Sequence, residues 1–389
     1  MRARTATPLA VTALGLGCLA AVPAAAKAPA PEATASFVVT TTGAPGTVAS
    51  TTARLGGKVS HVYSHALKGF AVTVPVGAEA ALRALPGVAA VEPDRPMTAT
   101  GTQSNPPSYG LDRIDQRNLP LSRTYTATRT GSGVTAYIID TGVTLTHNDF
   151  GGRAVTGADY VDGGAATDCN GHGTHVAGTV GGAAYGVAKQ VKLVAVRVLD
   201  CNGSGSTSGV IAGVDWVTGN HRAGAPAVAN MSLGGGASTA LDQAVSRSIA
   251  DGVSYSVAAG NDGSTVNDVA GLSNACNGSP ARVPAALTVG ATDRTDTRAS
   301  YSNIGSCLDI FAPGSSIVSA WYTSRTASAT LSGTSMASPH VAGVAALYLQ
   351  SVPSATPAKV ADVIKTAGTK GIVKSPGSGS PNSLLYERL

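Results

Sequence analysis

Charged and aromatic residues are scarce in this sequence. Of its 389 residues, 13% are charged and 4% are aromatic, whereas 43% are hydrophobic and 48 residues are glycine. A disordered chain combines high charge with low hydrophobicity, so disorder over most of the length is excluded. The composition is typical of a soluble, turn-rich globular protein, and the length allows two or more domains with a large core.

The sequence also lacks clusters of Lys and Arg interleaved with aromatic residues. Its formal net charge is +5. Residues 1–100 hold 8 basic and 4 acidic residues, and residues 101–389 hold 19 and 18, so the surplus lies mostly near the N-terminus. Because nucleic-acid binding needs a basic surface, the sequence predicts no nucleic-acid partner.

Long apolar runs are absent beyond the N-terminus. A membrane-spanning helix needs about 20 consecutive apolar residues, which no later segment provides. Residues 1–26 contain Arg2 and Arg4, then a short apolar segment, then three alanines, which is typical of a secretory signal peptide. Cys18 allows a lipoprotein interpretation, although the residues before it fit that signal badly. We therefore expect secretion without a membrane anchor.

Cysteine is rare as well, with five residues in the chain. Four of them follow residue 100, and in an oxidising compartment an even number predicts two disulfides with three possible pairings. A zinc site is the alternative, but the sequence contains no CxxC or HExxH motif. The four cysteines are Cys169, Cys201, Cys276 and Cys307.

Residues 36–97 have the pattern of a small α+β module. Three segments alternate apolar and polar residues as strands do, and helix-like segments lie around 46–56 and at 77–87. Residues 97–108 are polar and contain prolines, which is typical of a linker or processing site. The predicted strands are 36–43, 67–76 and 88–94.

Short continuous apolar runs replace this pattern from about residue 109 onward. Such runs are typical of parallel strands buried on both faces, and helix-like segments lie at 208–221 and 239–252. This alternation predicts an α/β fold with a mainly parallel central sheet and helices on both faces. In that architecture ligands bind beyond the carboxyl ends of the strands. The predicted strands are 134–140, 192–200, 227–233, 252–260 and 286–292.

Three polar side chains in this region have surroundings that suit catalysis. Asp140 ends the first of these strands, where a carboxylate needs hydrogen bonds or solvent. His172 lies between two glycines before a helix-like segment. Together with His175 it could form a metal site, but the sequence shows no evident third ligand. Ser335 precedes a helix whose first turn suits Pro339, so it is either an N-cap or a nucleophile.

A serine nucleophile requires a base, and the base is oriented by an acid. Among the histidines after residue 100, only His172 lies in a glycine-bounded turn that follows a strand region. The order Asp, His, Ser along the chain is that of subtilisin. The α/β-hydrolase alternative requires a G-x-S-x-G motif, which the sequence does not contain.

Five motifs carry a resemblance to a known family. YIIDTG, NGHGTHVAG, NMSLGG, AAGN and SGTSMASPHVAG resemble the signature blocks of subtilisin-like serine proteases, especially the aqualysin-like secreted bacterial members of the proteinase K group. The similarity spans nearly all of residues 101–389. Residues 36–97 resemble the inhibitory propeptide of this family, which assists folding and is removed autocatalytically. We therefore expect a signal peptide at 1–26, a propeptide at 27–100 and a subtilisin-like catalytic domain at 101–389.

The resemblance implies roles for four residues. Ser335 is expected to be the nucleophile, His172 the general base and then acid, and Asp140 the carboxylate that orients the imidazole. Asn261 is expected to stabilise the oxyanion together with the Ser335 N–H, because the first amides of a helix lack intrahelical partners.

The resemblance also implies that an extended polypeptide binds between two glycine-rich edges by main-chain pairing. The pocket for the residue before the scissile bond is expected to have small apolar walls and no charged residue. Such a pocket favours large apolar or aromatic side chains over Lys or Arg. The edges are Gly203, Ser204, Gly205 and Ser232, Leu233, Gly234, Gly235, and the pocket adds Ala258, Ala259 and Gly260.

Structural calcium is expected on the same basis, with no organic cofactor. Calcium prefers hard oxygen ligands, and three calcium sites of relatives have counterparts in this chain. The sets are Pro284, Ala286, Asp309; Asp112, Asp115, Gln116; and the loop near Asp159 and Asp162. In the first set, Asp309 could equally be a turn acid. The second set is accompanied by Ser122 and Thr124 where relatives have oxygen-rich ligands, and the third loop has fewer acids than relatives.

The resemblance completes the expectation for the covalent framework and the activity. The cysteines match the bridges Cys169–Cys201 and Cys276–Cys307, and Ser279-Pro280 matches a cis proline of relatives. The expected protein is a monomeric serine endopeptidase of broad specificity, made as a zymogen that its own propeptide inhibits and that is cleaved near Gly101. The alternative is a catalytically silent scaffold that binds polypeptides through the same edges.

Overall fold

The computed structural model describes residues 33–94, 101–263 and 273–389. The chain divides into two units between residues 97 and 98. The predicted signal peptide and part of the predicted linker lie outside the described residues. Within the described ranges, no helix combines the length and hydrophobicity needed to cross a membrane.

The N-terminal unit consists of β1 (Thr34–Thr41), α1 (Pro45–Arg54), β2 (Lys58–Tyr63), β3 (Gly69–Pro75), α2 (Glu79–Arg83) and β4 (Val88–Pro93). Its strands form an antiparallel sheet in the order β2-β3-β1-β4. Phe37, Val39, Phe70 and Val72 are buried in its core. The two predicted helices and three predicted strands are present. The sequence pattern did not indicate β2, because this edge strand is mostly exposed and has no apolar face.

The second unit contains the helices α3 (Tyr109–Ile114), α4 (His172–Gly181), α5 (Thr207–Asn220), α6 (Thr239–Asp251), α7 (Thr334–Ser351) and α8 (Pro357–Ala367), with short 3-10 helices at Asn148–Phe150 and Ala275–Asn277. Its strands are β5 (Gly101–Ser104), β6 (Thr124–Ala127), β7 (Thr135–Asp140), β8 (Ala154–Asp159), β9 (Lys192–Arg197), β10 (Ala227–Met231), β11 (Gly235–Gly236), β12 (Val253–Ala258), β13 (Gly278–Ser279), β14 (Leu287–Thr292), β15 (Ile310–Pro313), β16 (Ile317–Ala320), β17 (Ser328–Leu331), β18 (Thr369–Lys370) and β19 (Ser383–Leu384).

Nine of these strands form the central sheet, in the order β18-β19-β15-β14-β12-β10-β7-β9-β8. Neighbouring strands are parallel except for β18 and β19. This is the mainly parallel sheet that the sequence predicts, and all five predicted strands belong to it. The unpredicted members β8, β15, β18 and β19 lie toward the two ends of the sheet.

Successive strand residues point to opposite faces of the sheet. Because both faces of these strands are apolar, helices cover the sheet on both sides. In β7, Ile138 packs into a core with α4 and α7, whereas Ile139 packs into a core with α5 and α6. Both side chains are fully buried. Burial on both faces explains why the strands read as continuous apolar runs.

The connections diverge at β7. The chain passes through α4 to β9 on one side of β7, and then through α5 to β10 on the other side. A crevice forms beyond the carboxyl ends of strands at such a point. Asp140 is the last residue of β7 and Ser232 directly follows β10, so both lie at this end of the sheet.

Two disulfides, Cys169–Cys201 and Cys276–Cys307, link loops of the second unit. Both pairings are those implied by the resemblance. The first joins the loop before α4 to the loop after β9. The Ser279-Pro280 peptide is cis, as expected, and Leu119-Pro120 is also cis.

Candidate active site

Asp140 is completely buried at the carboxyl end of β7. Its Oδ1 accepts hydrogen bonds from Thr141 N at 2.8 Å and from His172 Nδ1 at 2.7 Å. Among the described residues, its Oδ2 has no hydrogen-bond partner. Because a buried carboxylate is costly without a partner, the imidazole is the principal group that stabilises it.

His172 begins α4 directly after Gly171. Gly171 has a φ of 108°, and a Cβ there would lie 2.5 Å from the Trp321 ring, so this turn requires glycine. The His172 side chain is 25% exposed. One edge of the ring therefore reaches solvent while Nδ1 holds Asp140.

Opposing effects set the pKa of His172. Burial lowers the pKa, whereas the charge and hydrogen bond of Asp140 and the charge of Asp168 raise it, and the net result is a pKa above the ordinary 6.5. The ring is therefore more basic than free histidine. Since Nδ1 donates to Asp140, Nε2 is the nitrogen that takes up a proton.

Ser335 is the second residue of α7, which begins at Thr334. The expectation that Pro339 lies in the first turn of this helix is therefore wrong, because it lies in the second. Proline has no N–H, so the Ser335 carbonyl lacks its helical donor. The Ser232 hydroxyl donates to that carbonyl instead, at 2.7 Å, and Ser335 Oγ donates to the Ser232 carbonyl at 3.1 Å.

Asn261 lies shortly after β12 and directs its side chain to the start of α7. Its Oδ1 accepts from Thr334 N at 2.9 Å and from Thr334 Oγ1 at 3.0 Å, which orients the amide. A Cβ on Gly333 would lie 3.6 Å from Ser335 N and 3.7 Å from Asn261 Nδ2. Two N–H donors thus flank one small space, which suits a carbonyl oxygen that becomes negative.

The two predicted substrate edges line one cavity of about 510 Å³ beside His172. Residues 203–205 contribute one side and residues 232–235 the other. The end of the second edge is partly occupied, because β11 pairs with β13 in antiparallel fashion. The cavity can therefore hold an extended chain between two mostly glycine-lined backbones.

A second cavity of about 440 Å³ shares residues 233–236 with the first. Ser335, Asn261 and the predicted wall residues 258–260 line it. Asp262 lines it as well, and its carboxylate accepts from Asn303 Nδ2 at 3.1 Å. The expectation of a pocket without a charged residue is therefore wrong. Asp262 is adjacent to Asn261 in sequence, but only the fold shows that it reaches the cavity.

The carboxylate of Asp309, from the first predicted calcium set, contacts the ammonium of Lys365. It directly precedes β15, whereas Pro284 and Ala286 directly precede the neighbouring strand β14. Its Oδ2 accepts from Thr288 N at 2.9 Å, and its Oδ1 accepts from Lys365 Nζ at 3.1 Å. These oxygens suit calcium chemically, but Lys365 already holds one of them.

The second predicted calcium set does not fit a metal ion. Asp112 Oδ1 accepts from Ser122 N and Oγ, and its Oδ2 accepts from Arg123 N. Gln116 Oε1 also accepts from Ser122 N, and Asp115 Oδ2 accepts from a backbone N–H. These oxygens already accept from protein donors, two of which belong to Ser122.

The third set does not fit either. Arg197 lies between the two acids, with NH1 3.1 Å from Asp159 and 2.7 Å from Asp162. Its guanidinium supplies the positive charge that a metal would bring. Within the described part of the chain, no three His, Cys, Asp or Glu residues are grouped to hold a metal ion.

Sequence reasoning missed Asp168, a 5% exposed aspartate four residues before His172. Its carboxylate accepts hydrogen bonds from Thr141 and Thr174, which follow Asp140 and His172 in the chain. The only signal in the sequence is its place in DCNGHGTH. An aspartate in such a loop also suits an ordinary turn, so this signal is weak.

Comparison with known proteins places these observations in a family. Residues 131–382 match the Subtilase family, and residues 10–94 match a peptidase inhibitor domain. The chain is 60% identical to the extracellular serine proteinase of Thermus sp. (strain Rt41A) over 85% of its length and 78% of the relative. It is 54% identical to alkaline serine exoprotease A of Vibrio alginolyticus, over 85% of this chain and 60% of that one.

A solved structure agrees with the sequence matches. The crystal structure of a cold-adapted subtilisin-like serine proteinase is 57% identical and covers 72% of this chain and 98% of its own, with a TM-score of 0.68. With the family match extending over more than half of the residues, the chain is a serine proteinase of the subtilase family, preceded by a peptidase inhibitor domain.

Proposed function

We propose that this protein is a secreted serine endopeptidase that uses Asp140, His172 and Ser335 as a triad. The observation that carries the proposal is the 2.7 Å contact between His172 and buried Asp140. His172 lines the first cavity, and Ser335 and Asn261 line the second, which shares residues 233–236 with it. Ser335 Oγ attacks the peptide carbonyl while His172 Nε2 takes its proton, and Asp140 stabilises the imidazolium.

The oxyanion is stabilised by Ser335 N–H and Asn261 Nδ2, the donors that flank the open side of Gly333. His172 then protonates the leaving amine, and the C–N bond breaks to give an acyl-enzyme. Water enters, loses a proton to His172 and attacks the ester carbonyl. The bond between the acyl carbon and Ser335 Oγ then breaks, His172 returns its proton to Oγ, and the acid is released.

The serine must change its hydrogen bond before it reacts. In the structure Ser335 Oγ donates to the Ser232 carbonyl. Within the described residues it makes no hydrogen bond to His172. Catalytic hydrogen bonds are often long before substrate binds, so we infer that substrate entry turns the hydroxyl toward Nε2.

The substrate is an extended polypeptide that pairs with residues 203–205 and 232–235. The second cavity takes the side chain before the scissile bond, and its small walls favour large apolar or aromatic groups. Asp262 at this cavity also attracts Lys or Arg, so a basic side chain should be accepted second to an apolar one.

The N-terminal unit acts as an inhibitory propeptide that the enzyme removes itself near Gly101. The match of residues 10–94 to a peptidase inhibitor domain supports this role. Secretion is supported by the N-terminal signal pattern and by the similarity to the Thermus relative, which is named an extracellular serine proteinase.

The test compares the wild type with Ser335→Ala, and with Ser354→Ala as a control at an exposed serine outside the cleft. We expect the wild type and the control to lose about 100 N-terminal residues, to hydrolyse casein and to cleave peptides with Phe, Leu and then Lys before the scissile bond. Ser335→Ala should remain full-length and inactive. Self-cleavage or normal hydrolysis by Ser335→Ala contradicts the proposal.

We further propose that calcium and Lys365 compete for Asp309. Calcium would be held by Asp309 with the carbonyls of Pro284 and Ala286, and would act only on stability.

Removing the ammonium in Lys365→Met frees Asp309 Oδ1, so excess calcium should raise Tm by several degrees more in this variant than in the wild type. Lys359→Met is the control, because Lys359 lies on the same helix and forms an exposed ion pair with Asp362 at 3.3 Å. An identical calcium response in all three proteins contradicts the competition.

A further inference from the structure

Asp168 is a buried carboxylate to which the proposed mechanism assigns no role. It lies in the loop before α4 and is 5% exposed. Its Oδ1 accepts from Thr141 Oγ1 at 2.9 Å, from Asn170 N at 2.9 Å and from Gly171 N at 2.8 Å. Its Oδ2 accepts from Thr174 N at 2.8 Å and from Thr174 Oγ1 at 2.5 Å.

Two of these five hydrogen bonds replace a missing helix cap. Helix α4 begins at His172 after Gly171, which has no side chain to accept from the first amides. Asp168 accepts from Gly171 N and from Thr174 N, the third helical residue. A carboxylate here also opposes the positive end of the helix dipole, which otherwise disfavours a charged imidazole at the first position.

The same carboxylate reaches the loop after Asp140. Thr141 donates its hydroxyl to Asp168, accepts from Gly173 N at 2.9 Å and donates its own N–H to Asp140 at 2.8 Å. Asp168 therefore joins the residue after Asp140 to the first turn of α4. This connection adds to the direct hydrogen bond between His172 and Asp140 in linking β7 to α4.

The charge of Asp168 acts on the same ring. The titratable groups that face His172 are Asp140 from β7, Asp168 from the preceding loop and His175 from α4. Burial lowers the pKa of His175 to about 4, so it is neutral at neutral pH. Both charged neighbours are thus negative, and both favour the imidazolium.

We propose, on the basis of the triad proposed above, that Asp168 is a positioning residue of the active site. It holds Asp140 and His172 in register, and its negative charge stabilises the imidazolium that forms when Ser335 is deprotonated. It touches no substrate, so it should affect kcat far more than KM.

The test is Asp168→Asn, which removes the charge and turns one acceptor into a donor that opposes the surrounding N–H and O–H groups. We expect kcat to fall roughly 10- to 100-fold, because small displacements of reacting groups have effects of this size. KM should stay within about twofold. The acid limb of the kcat/KM profile should move to lower pH. Asp149→Asn is the control, since Asp149 is a buried aspartate at the opposite end of α4 that also accepts a backbone N–H, from Ala184.

A second variant keeps the proposal testable if Asp168→Asn does not fold. Thr141→Val preserves shape but removes the hydroxyl between Asp168 and Gly173. We expect kcat to fall several-fold, with the acid limb in place because the charge remains. Wild-type kcat in Thr141→Val, or an unshifted acid limb in folded Asp168→Asn, overturns the proposal. Activity in Ser335→Ala would instead overturn the triad itself.

Discussion

At the scale of single residues, one absent N–H changes the surroundings of the nucleophile. Pro339 cannot donate to the Ser335 carbonyl, and Ser232, over 100 residues earlier, supplies the donor. Ser232 in turn accepts from the Ser335 hydroxyl. The two serines therefore tie the end of β10 to the start of α7, which fixes the proposed substrate edge at 232–235 relative to the proposed nucleophile.

The first prediction concerns the pH dependence of activity. His172 must be neutral to accept a proton, and its pKa lies above 6.5 because Asp140 and Asp168 together outweigh burial. Activity should therefore be lost as pH falls through a value above 6.5. The measurement is kcat/KM against a peptide substrate from pH 5 to 9. An acid limb centred below 6.5 would show that burial dominates.

At the scale of elements, glycine decides how closely helices approach. A Cβ on Gly110 in α3 would lie 2.3 Å from Nε2 of His340 in α7. His340 is fully buried and its Nδ1 donates to Met336 O, 2.8 Å away, so the ring has little room to move. The contact between α3 and α7 therefore depends on the absence of one methyl group.

The second prediction uses this contact. Alanine normally stabilises a helix relative to glycine by about 0.5–1 kcal/mol. Gly110→Ala should instead destabilise by about 1–3 kcal/mol, because the methyl group overlaps the His340 ring. Gly219→Ala is the matched control, since Gly219 lies in α5 with no atom within 4 Å of its added Cβ. Denaturant unfolding in the Ser335→Ala background measures both, and stabilisation by Gly110→Ala would contradict the packing argument.

At the scale of the whole molecule, the C-terminal segment carries an unusual acid. Glu387 is 1% exposed, and both carboxylate oxygens lack hydrogen-bond partners among the described residues. Burial raises its pKa from 4.5 to about 7, an effect that Asp115 strengthens and Arg388 weakens. Its backbone N–H donates to Ile114 O at 2.8 Å, so the segment is held near α3.

The third prediction follows from linkage. Since the folded pKa of Glu387 exceeds the unfolded value, the folded state binds the proton more tightly, and stability is lost as pH rises from about 4.5 through about 7. One pKa unit corresponds to about 1.4 kcal/mol, so the loss is on the order of 3 kcal/mol. Glu387→Gln should abolish this part of the pH dependence. Tm at pH 5 and pH 8 measures it in the Ser335→Ala background.

Asp362→Asn is the control for this experiment, because Asp362 is exposed on α8. It should retain the pH dependence of the parent protein. A Glu387→Gln protein that loses as much stability between pH 5 and pH 8 as its parent would contradict the assignment of the effect to Glu387.

Much of the architecture was predictable because it is encoded locally. Strands buried on both faces are continuous apolar runs, and the five runs predicted to be strands all belong to the central sheet. Glycines mark turns such as Gly171, where only a residue without Cβ fits. The exposed edge strand β2 was missed because it buries too little for its sequence to show a pattern.

The sequence by itself determined the fold class and the presence of an acid, an imidazole and a hydroxyl in the family order. Only the tertiary structure decided which groups meet: Asp168 and His172, Ser232 and Ser335, Lys365 and Asp309, and Asp262 with the second cavity beside Ser335. Secondary structure depends on neighbours a few residues apart, whereas Lys365 and Asp309 are 56 residues apart and Ser232 and Ser335 are 103 apart. Asp168 is near His172 in sequence, but the hydrogen bond from Thr141 that links it to the end of β7 spans 27 residues. Such contacts require the complete chain to be packed.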